Sequence, residues 1–378
     1  SQGLLELISS ICKIITSKEI KLPAFSVTST LPSVMNGGKD FCAWSKMDQV
    51  LYDTMRKPVE AVLGRDGVGL ADCAICESQF EKGEDISDRM LALMARMSEI
   101  QRKGTPDIEF AVVGLLARMQ VSQGKAQAAL GALNDLRDTL IDTGQTRFLP
   151  NLDAMLCRIW LRLGEADRVA RWYREKAPSS SPRLRGLWRY QYLTKAMVQI
   201  TNGDCDEALL VLAQLLPYCA HCGRTMDVLH IRLLMAICHF RLQNDAWKAE
   251  LQEALDSAYE YRFLQPVAQY GAAVLPLLTA CGWAGDAAYF DELLLATRTQ
   301  TVNYPLFLRC ESQLAQPLTP TEAQVLRLLC HNMSNQEIGE VLGIKLATVK
   351  THVSRILQKL GVKRRSEAKA AAEALHLG

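Results

Sequence analysis

The side chains whose types and spacing suit chemistry lie near the C-terminal end of this chain. Lys350, Thr351, Ser354, Arg355 and Gln358 recur at helical spacing and would share one face of a helix. They are cations, short hydroxyls and an amide, groups that can reach base edges and phosphates in a DNA major groove. Catalytic patterns are missing by contrast. There is no HExxH and no nucleophile–base arrangement. A phosphate loop is missing too: Gly38-Lys39 is followed by Asp40 and Gly124-Lys125 by Ala126, with no glycine five before either. The expectation is a binding protein rather than an enzyme, with no cofactor and no metal.

Three helices must position that polar face. Thr319 can cap the first, with Pro320 at the first helical position and Glu322 as the reciprocal partner of a capping box. Val325, Leu326, Leu328 and Leu329 give it an apolar face, and Asn332 can end it. Ser334 and Glu337 open the second helix the same way; Ile338, Val341 and Leu342 are expected to face inward, and Gly343 stops it. The third is expected from Leu346 to Lys359, with Leu346, Val349, Val353, Ile356, Leu357 and Leu360 on the buried stripe. Two capped helices, a short glycine turn and an amphipathic third helix make a helix-turn-helix. A plain three-helix bundle with a solvated polar face is the competing reading, and charge decides against it. Residues 318–378 hold 9 Lys and Arg against 5 Asp and Glu; the remaining residues hold 34 against 36. A basic module on a near-neutral body is the electrostatic footprint of a nucleic-acid reader.

SNQEIGEVLGI followed by TVKTHVSRILQKLGVKRR resembles the LuxR-type DNA-binding domain of bacterial transcription regulators. The resemblance covers about the last 60 residues. It implies base contacts from Lys350, Thr351 and Ser354. It implies phosphate contacts from Ser334 and Asn335 at the second helix and from cations near the end of the third. Lys345, Thr348, Arg355, Lys359, Lys363, Arg364 and Arg365 complete the expected phosphate set. Lys345 departs from the family's usual small capping residue and cannot cap the third helix. Ser366 can cap a last helix whose Ala-rich face is either a dimer contact or packs on the first helix.

The 378 residues allow two or three domains, and 49% hydrophobic content fits a globular chain. No apolar run reaches membrane-spanning length, and no signal peptide is evident. Twelve scattered cysteines suggest free thiols in a reducing cytoplasm. Cys73/Cys76 and Cys219/Cys222 have CxxC spacing, with His230 or Cys238 as further zinc ligands for the second pair. Small core thiols at i and i+3 of a helix are the favoured reading, because neither pair has a matching second half nearby.

Between about Asp40 and Thr297 the chain reads as helix after helix, with turn markers at Gly83, Gly124, Gly164, Gly203, Asn244 and Gly282 or Gly285. The intervals are 41, 40, 39, 41 and 38 (or 41) residues. Small residues recur five after the marker at Ala129, Ala208 and Ala249, with Val169 in the same place and Asp88 not fitting. The expected fold is all-α: a tetratricopeptide-like helical-hairpin solenoid followed by the small helix-turn-helix. PSVMNGGKDFCAWSK, FLPNLDAMLCRIWLRLGEADRVARWY, GRTMDVLHIRLLMAICHFRLQND and ALDSAYEYRF resemble the sensor region of MalT-like (LAL-type) regulators. That family carries an N-terminal nucleotide-binding domain, which these residues do not show; a fragment or a short variant is expected.

The expected layout is an N-terminal helix (Leu4–Ile15) and extended stretch in 1–31, a repeat sensor in 32–300, a linker in 301–317 with its polar character beginning at Arg298, and the DNA-binding domain in 318–378. Aromatics are dense at Trp160, Trp172, Tyr173, Trp188, Tyr190 and Tyr192. Trp160, Trp188, Tyr190 and Tyr192, with Arg189 and His230 as polar anchors, form a candidate effector site set against plain core packing. The functional expectation is a cytoplasmic transcription regulator. It would bind operator DNA as a homodimer, with RNA polymerase as a possible partner. A small-molecule effector or partner protein on the repeats would control it. The alternative is an interaction scaffold with vestigial DNA binding.

Overall fold

The computed structural model describes residues 49–179, 188–309, 319–331, 333–359, 362 and 364–374. The expected helix at Leu4–Ile15, the rest of 1–31 and Lys363 lie outside them. All described elements are helices or turns. The chain divides into two compact units, the first ending at Arg309 and the second holding Cys310–Gly378.

The first unit is a stack of helical hairpins. After α1 (Gln49–Leu63) come α2 (Leu70–Lys82) with α3 (Ser87–Ala95) and α4 (Met97–Lys103). Then α5 (Pro106–Ser122) pairs with α6 (Ala126–Asp142), α7 (Leu149–Leu163) with α8 (Ala166–Glu175), and α9 (Arg189–Asn202) with α10 (Cys205–His221). The stack ends with α11 (Thr225–Arg241) against α12 (Ala246–Glu260), and α13 (Gln265–Ala268) and α14 (Leu275–Ala280) against α15 (Ala287–Asn303). The hairpin turns fall where the spacing put them. Gly83, Gly124, Gly164, Gly203 and Gly282 all have left-handed φ, between 59° and 91°. Gly164 shows why a side chain is excluded: at φ 70° a Cβ would also lie 2.8 Å from the Leu306 side chain.

The fifth turn differs. Its left-handed residue is Gln243, φ 55°, and Asn244 instead accepts the Ala246 N–H on its side chain at 3.0 Å. Ala249 is exposed rather than packed. Trp247 and Leu251 fill the contact, with Trp247 edge-on to Phe240 at 5.3 Å. Ala129, Ala208 and Val169 are buried as expected.

Two features were not foreseen. The stack closes on itself: the Leu264 N–H donates to the Glu81 carbonyl at 2.8 Å, and Gln300 Nε2 donates to the Ser122 carbonyl at 2.8 Å. The last hairpin therefore touches the first two. The expected linker also starts later than Arg298 or residue 301. α15 continues to Asn303, and Tyr304, Phe307 and Leu308 are buried. Tyr304 Oη donates to the Val121 carbonyl at 2.7 Å, and Arg241 donates to the Leu308 carbonyl. Polar neighbours in this stretch disguised three apolar anchors. The segment Tyr304–Leu308 seals one end of the ring of inner helices.

Cys73 and Cys76 are buried within α2, and burial pushes the Cys76 and Cys219 thiols up to about 12. Among the described residues no group of three or more His, Cys, Asp or Glu is placed to hold a metal, and no helix is long and apolar enough to cross a membrane.

The second unit holds α16 (Pro320–Cys330), α17 (Asn335–Leu342), α18 (Leu346–Lys359) and α19 (Arg365–Ala374). Val325, Leu326, Leu329, Ile338, Val349, Val353 and Ile356 form its core. Val341 and Leu346, expected inside, are 59% and 44% exposed. Both sit beside the α17–α18 turn, where the helical stripe runs off the core.

Candidate nucleic-acid interface

Both capping boxes form. The Glu322 N–H donates to Thr319 Oγ1 at 3.3 Å while Glu322 Oε2 accepts the Thr319 N–H at 2.8 Å. Ser334 and Glu337 repeat this at 3.3 and 2.6 Å. Gly343 ends α17 at φ 66°. The turn into α18 is tight: a Cβ on Gly339 would lie 2.8 Å from the Ile344 carbonyl oxygen. That approach sets the angle between α17 and α18, and so the direction of the outer face.

On that face, Thr348, Lys350, Thr351, Ser354 and Arg355 are all exposed, and Lys345 is exposed just before it. Thr351 Oγ1 donates back to the Ala347 carbonyl at 3.0 Å, leaving its lone pairs outward. Lys345 stands at the start of α18, where its carbonyl accepts the Val349 N–H at 3.1 Å. Arg364 is exposed as well.

Three residues grouped with the phosphate set do other work. Lys359 Nζ lies 2.6 Å from Glu322 Oε2, with side-chain exposures of 12% and 2%. Burial alone would raise the Glu322 carboxyl. The Lys359 bond and the Thr319 amide outweigh it and hold the carboxyl below the usual carboxylate range. Lys359 thus ties the end of α18 to the start of α16. Arg365 donates to Asn335 Oδ1 at 2.6 Å and to the Met333 carbonyl, which occupies both Arg365 and Asn335 in holding the α17 N-terminus. The Ser334 hydroxyl accepts its capping bond but remains exposed. On α19, Ala368 and Ala372 are buried in the core, so this helix packs on α16 through its alanines.

The residues proposed for an effector scatter. Trp160 and Trp188 are partly buried and pack against the repeat core, and Tyr192 is buried. Arg189, 3% exposed in its side chain, pairs with Asp227 at 2.9 Å, and Arg224 shares the same carboxylate at 2.6 Å. Tyr190 and His230 each contact a residue not singled out by the sequence. The Arg158 guanidinium lies over the Tyr190 ring at 3.7 Å, and Tyr270 Oη is 3.2 Å from His230 Nδ1. Burial pushes His230 down to about 3, assisted by the charge of Arg158, so its imidazole is neutral. Arg158 and Arg162 were detectable in principle. They stand at i and i+4 on either side of the apolar Ile159, Trp160 and Leu161.

Comparison with known proteins agrees with both units. Residues 316–372 match the luxR family of bacterial regulatory proteins, and residues 92–282 match the MalT-like TPR region. The HTH-type transcriptional regulator MalT of Serratia proteamaculans (strain 568) is 25% identical over 327 residues, covering 79% of this chain and 34% of its own. That of Cronobacter sakazakii (strain ATCC BAA-894) is 26% identical over 296 residues, covering 70% and 31%. The chain thus spans about a third of the length of these curated relatives. No solved structure matches it. Since the repeat match extends over just over half of its length, the chain belongs to the MalT-like TPR family and carries a luxR-family module at its C-terminal end.

Proposed function

We propose that this protein is a DNA-binding transcription regulator whose C-terminal unit reads duplex DNA and whose repeat unit receives a small molecule or a partner protein. The row Lys345, Thr348, Lys350, Thr351, Ser354 and Arg355 carries the reading. It is an exposed line of cations and hydroxyls on a helix whose angle is set by two capping boxes and the Gly339 turn. Lys350, Thr351 and Ser354 take the base-facing positions. Lys345, Thr348, Arg355 and Arg364 take phosphates, joined by the Ser334 hydroxyl at the start of α17. Two copies would occupy half-sites spaced by about 10 base pairs, with RNA polymerase as a candidate partner. Occupancy of the repeat unit would act by shifting the population of pairing-competent states.

Selection of bound duplexes from a random pool, followed by titration at about 50 and 200 mM salt, tests this reading. The expected result is a recovered sequence bound at about 10⁻⁸–10⁻¹¹ M with a steep loss of affinity at higher salt. Equal, weak affinity for every duplex would instead mark the chain as an interaction scaffold.

A further inference from the structure

Inside the closed repeat stack, three carboxylates among the described residues are held in ion pairs with arginines. Glu77 and Glu81 pair with Arg118 at 3.4 and 2.5 Å, and Asp227 holds Arg189 and Arg224. Arg158 and Arg162, one turn apart on α7, have no carboxylate in an ion pair among the described residues. Arg158 donates to Thr194 Oγ1 at 2.8 Å and to the Tyr190 carbonyl at 3.1 Å, and stacks on Tyr190. Arg162 donates to the Arg158 carbonyl at 3.0 Å and lies over the Phe307 ring at 4.1 Å. Both are partly buried. Each guanidinium carries five N–H donors, and these bonds use two on one and one on the other. His230 and Tyr270 lie nearby, with Tyr270 stacked on Phe307 at 6.3 Å between centroids. Burial, with the neighbouring Arg158 charge, drags Arg162 down to about 10.

Two like charges held a turn apart, partly withdrawn from water and with no carboxylate paired to them among the described residues, repel each other. Such a pair suits a group that offers two or more anionic oxygens. We propose that Arg158 and Arg162 form the floor of a site for a small molecule carrying a carboxylate or phosphate group, with Tyr190, Tyr270 and Phe307 flanking its less polar part. This rests on the reading of the repeat unit as a receiver and adds the chemical class of what it receives. Forked guanidiniums match the two or three oxygens of such a group. Because Phe307 belongs to the segment that seals the ring, an anion on Arg162 competes with or tightens that seal.

The test uses the full chain and its own fluorescence. All six tryptophans precede residue 284, so tryptophan emission follows the repeat unit and is silent on residues 318–378. Thermal midpoints are compared in inorganic phosphate and in chloride at matched ionic strength. Wild type should gain roughly 2–4 °C once phosphate exceeds its dissociation constant about fivefold. Arg162→Met and Arg158→Met should lose that gain. Arg162→Met should also melt higher than wild type in chloride, because removing one of two uncompensated charges relieves the repulsion. Arg174→Met, at an exposed site on α8, should keep the phosphate response. A lower midpoint for Arg162→Met in chloride, or a phosphate gain that survives both substitutions, overturns the proposal, as does no gain in wild type. A panel of neutral sugars and aromatic compounds runs alongside. A neutral compound that stabilises wild type and Arg162→Met alike would sink the anion site and leave the receiver reading standing. No stabilisation by any compound would remove the small-molecule reading as well.

Discussion

The two units stop and start their helices by different means. In the repeat unit, the N-cap residues of α2 to α8 and of α10 to α14 make no side-chain capping bond, whereas Asp286, which accepts the Tyr289 N–H at 2.8 Å, caps α15. Its hairpins are turned by left-handed residues and secured by neighbouring repeats. In the C-terminal unit, both α16 and α17 open with complete capping boxes. A large stack can lend each helix end a packed neighbour. A module of some 55 residues has a small core and satisfies its helix ends locally. Charge follows the same division. The stack pairs buried charges across repeats, as at Arg118 and Asp227, whereas among the described residues of the small module Lys359 pairs with Glu322 while Lys345, Lys350, Arg355 and Arg364 are exposed.

This contrast is open to breakage, most severely at Asp227. Asp227→Ala removes the carboxylate that Arg189 and Arg224 share, and should cost about 3–5 kcal/mol. The tryptophan-detected midpoint would fall by roughly 10 °C with amide exchange in 319–374 unchanged. Equal losses in both regions would show the two units to be one cooperative block. Lys359→Ala should cost about 3 kcal/mol in the C-terminal unit, seen as faster exchange in α16 and α18 with the tryptophan transition in place. If Lys359→Ala left exchange untouched and weakened DNA binding alone, its assignment to the fold would be wrong.

Lys350→Ala should leave both stabilities alone, cost about 1–3 kcal/mol of binding and relax preference at one base position. Arg364→Ala should weaken all sequences alike and reduce the salt slope by about one. The smallest effect is expected from the caps. Thr319→Ala should cost about 1 kcal/mol, confined to the C-terminal unit. Acid probes the same contact. The folded Glu322 carboxyl titrates below its unfolded value near about 4.3. Its contribution is therefore complete above that value and is lost as pH falls through the folded one. Exchange in α16 measured from pH 6 to 3 checks the direction.

What could be read from sequence follows from the same division. Thr319, Glu322, Ser334 and Glu337 announce themselves because a capping box is complete within four residues. The repeats announce themselves through spacing, which survives even where Gln243 replaces Asn244 as the left-handed residue. Contacts between distant positions leave no such trace. Lys359 and Glu322 are 37 residues apart, and Leu264 meets Glu81 only because the stack bends round. A lysine at the end of a basic helix therefore looked like a surface cation. Val341 and Leu346 were misplaced for a related reason: helical periodicity states which residues share a stripe, and not where the stripe leaves the core.

The seal formed by Tyr304–Leu308 also fixes a length. These five residues are folded into the ring, so the first unit runs on to Arg309. Extended, five residues span about 17 Å. Releasing them from the ring would lengthen the chain beyond the first unit by that much. The buried rings of Tyr304 and Phe307 thereby act as a stop, keeping these five residues part of the first unit.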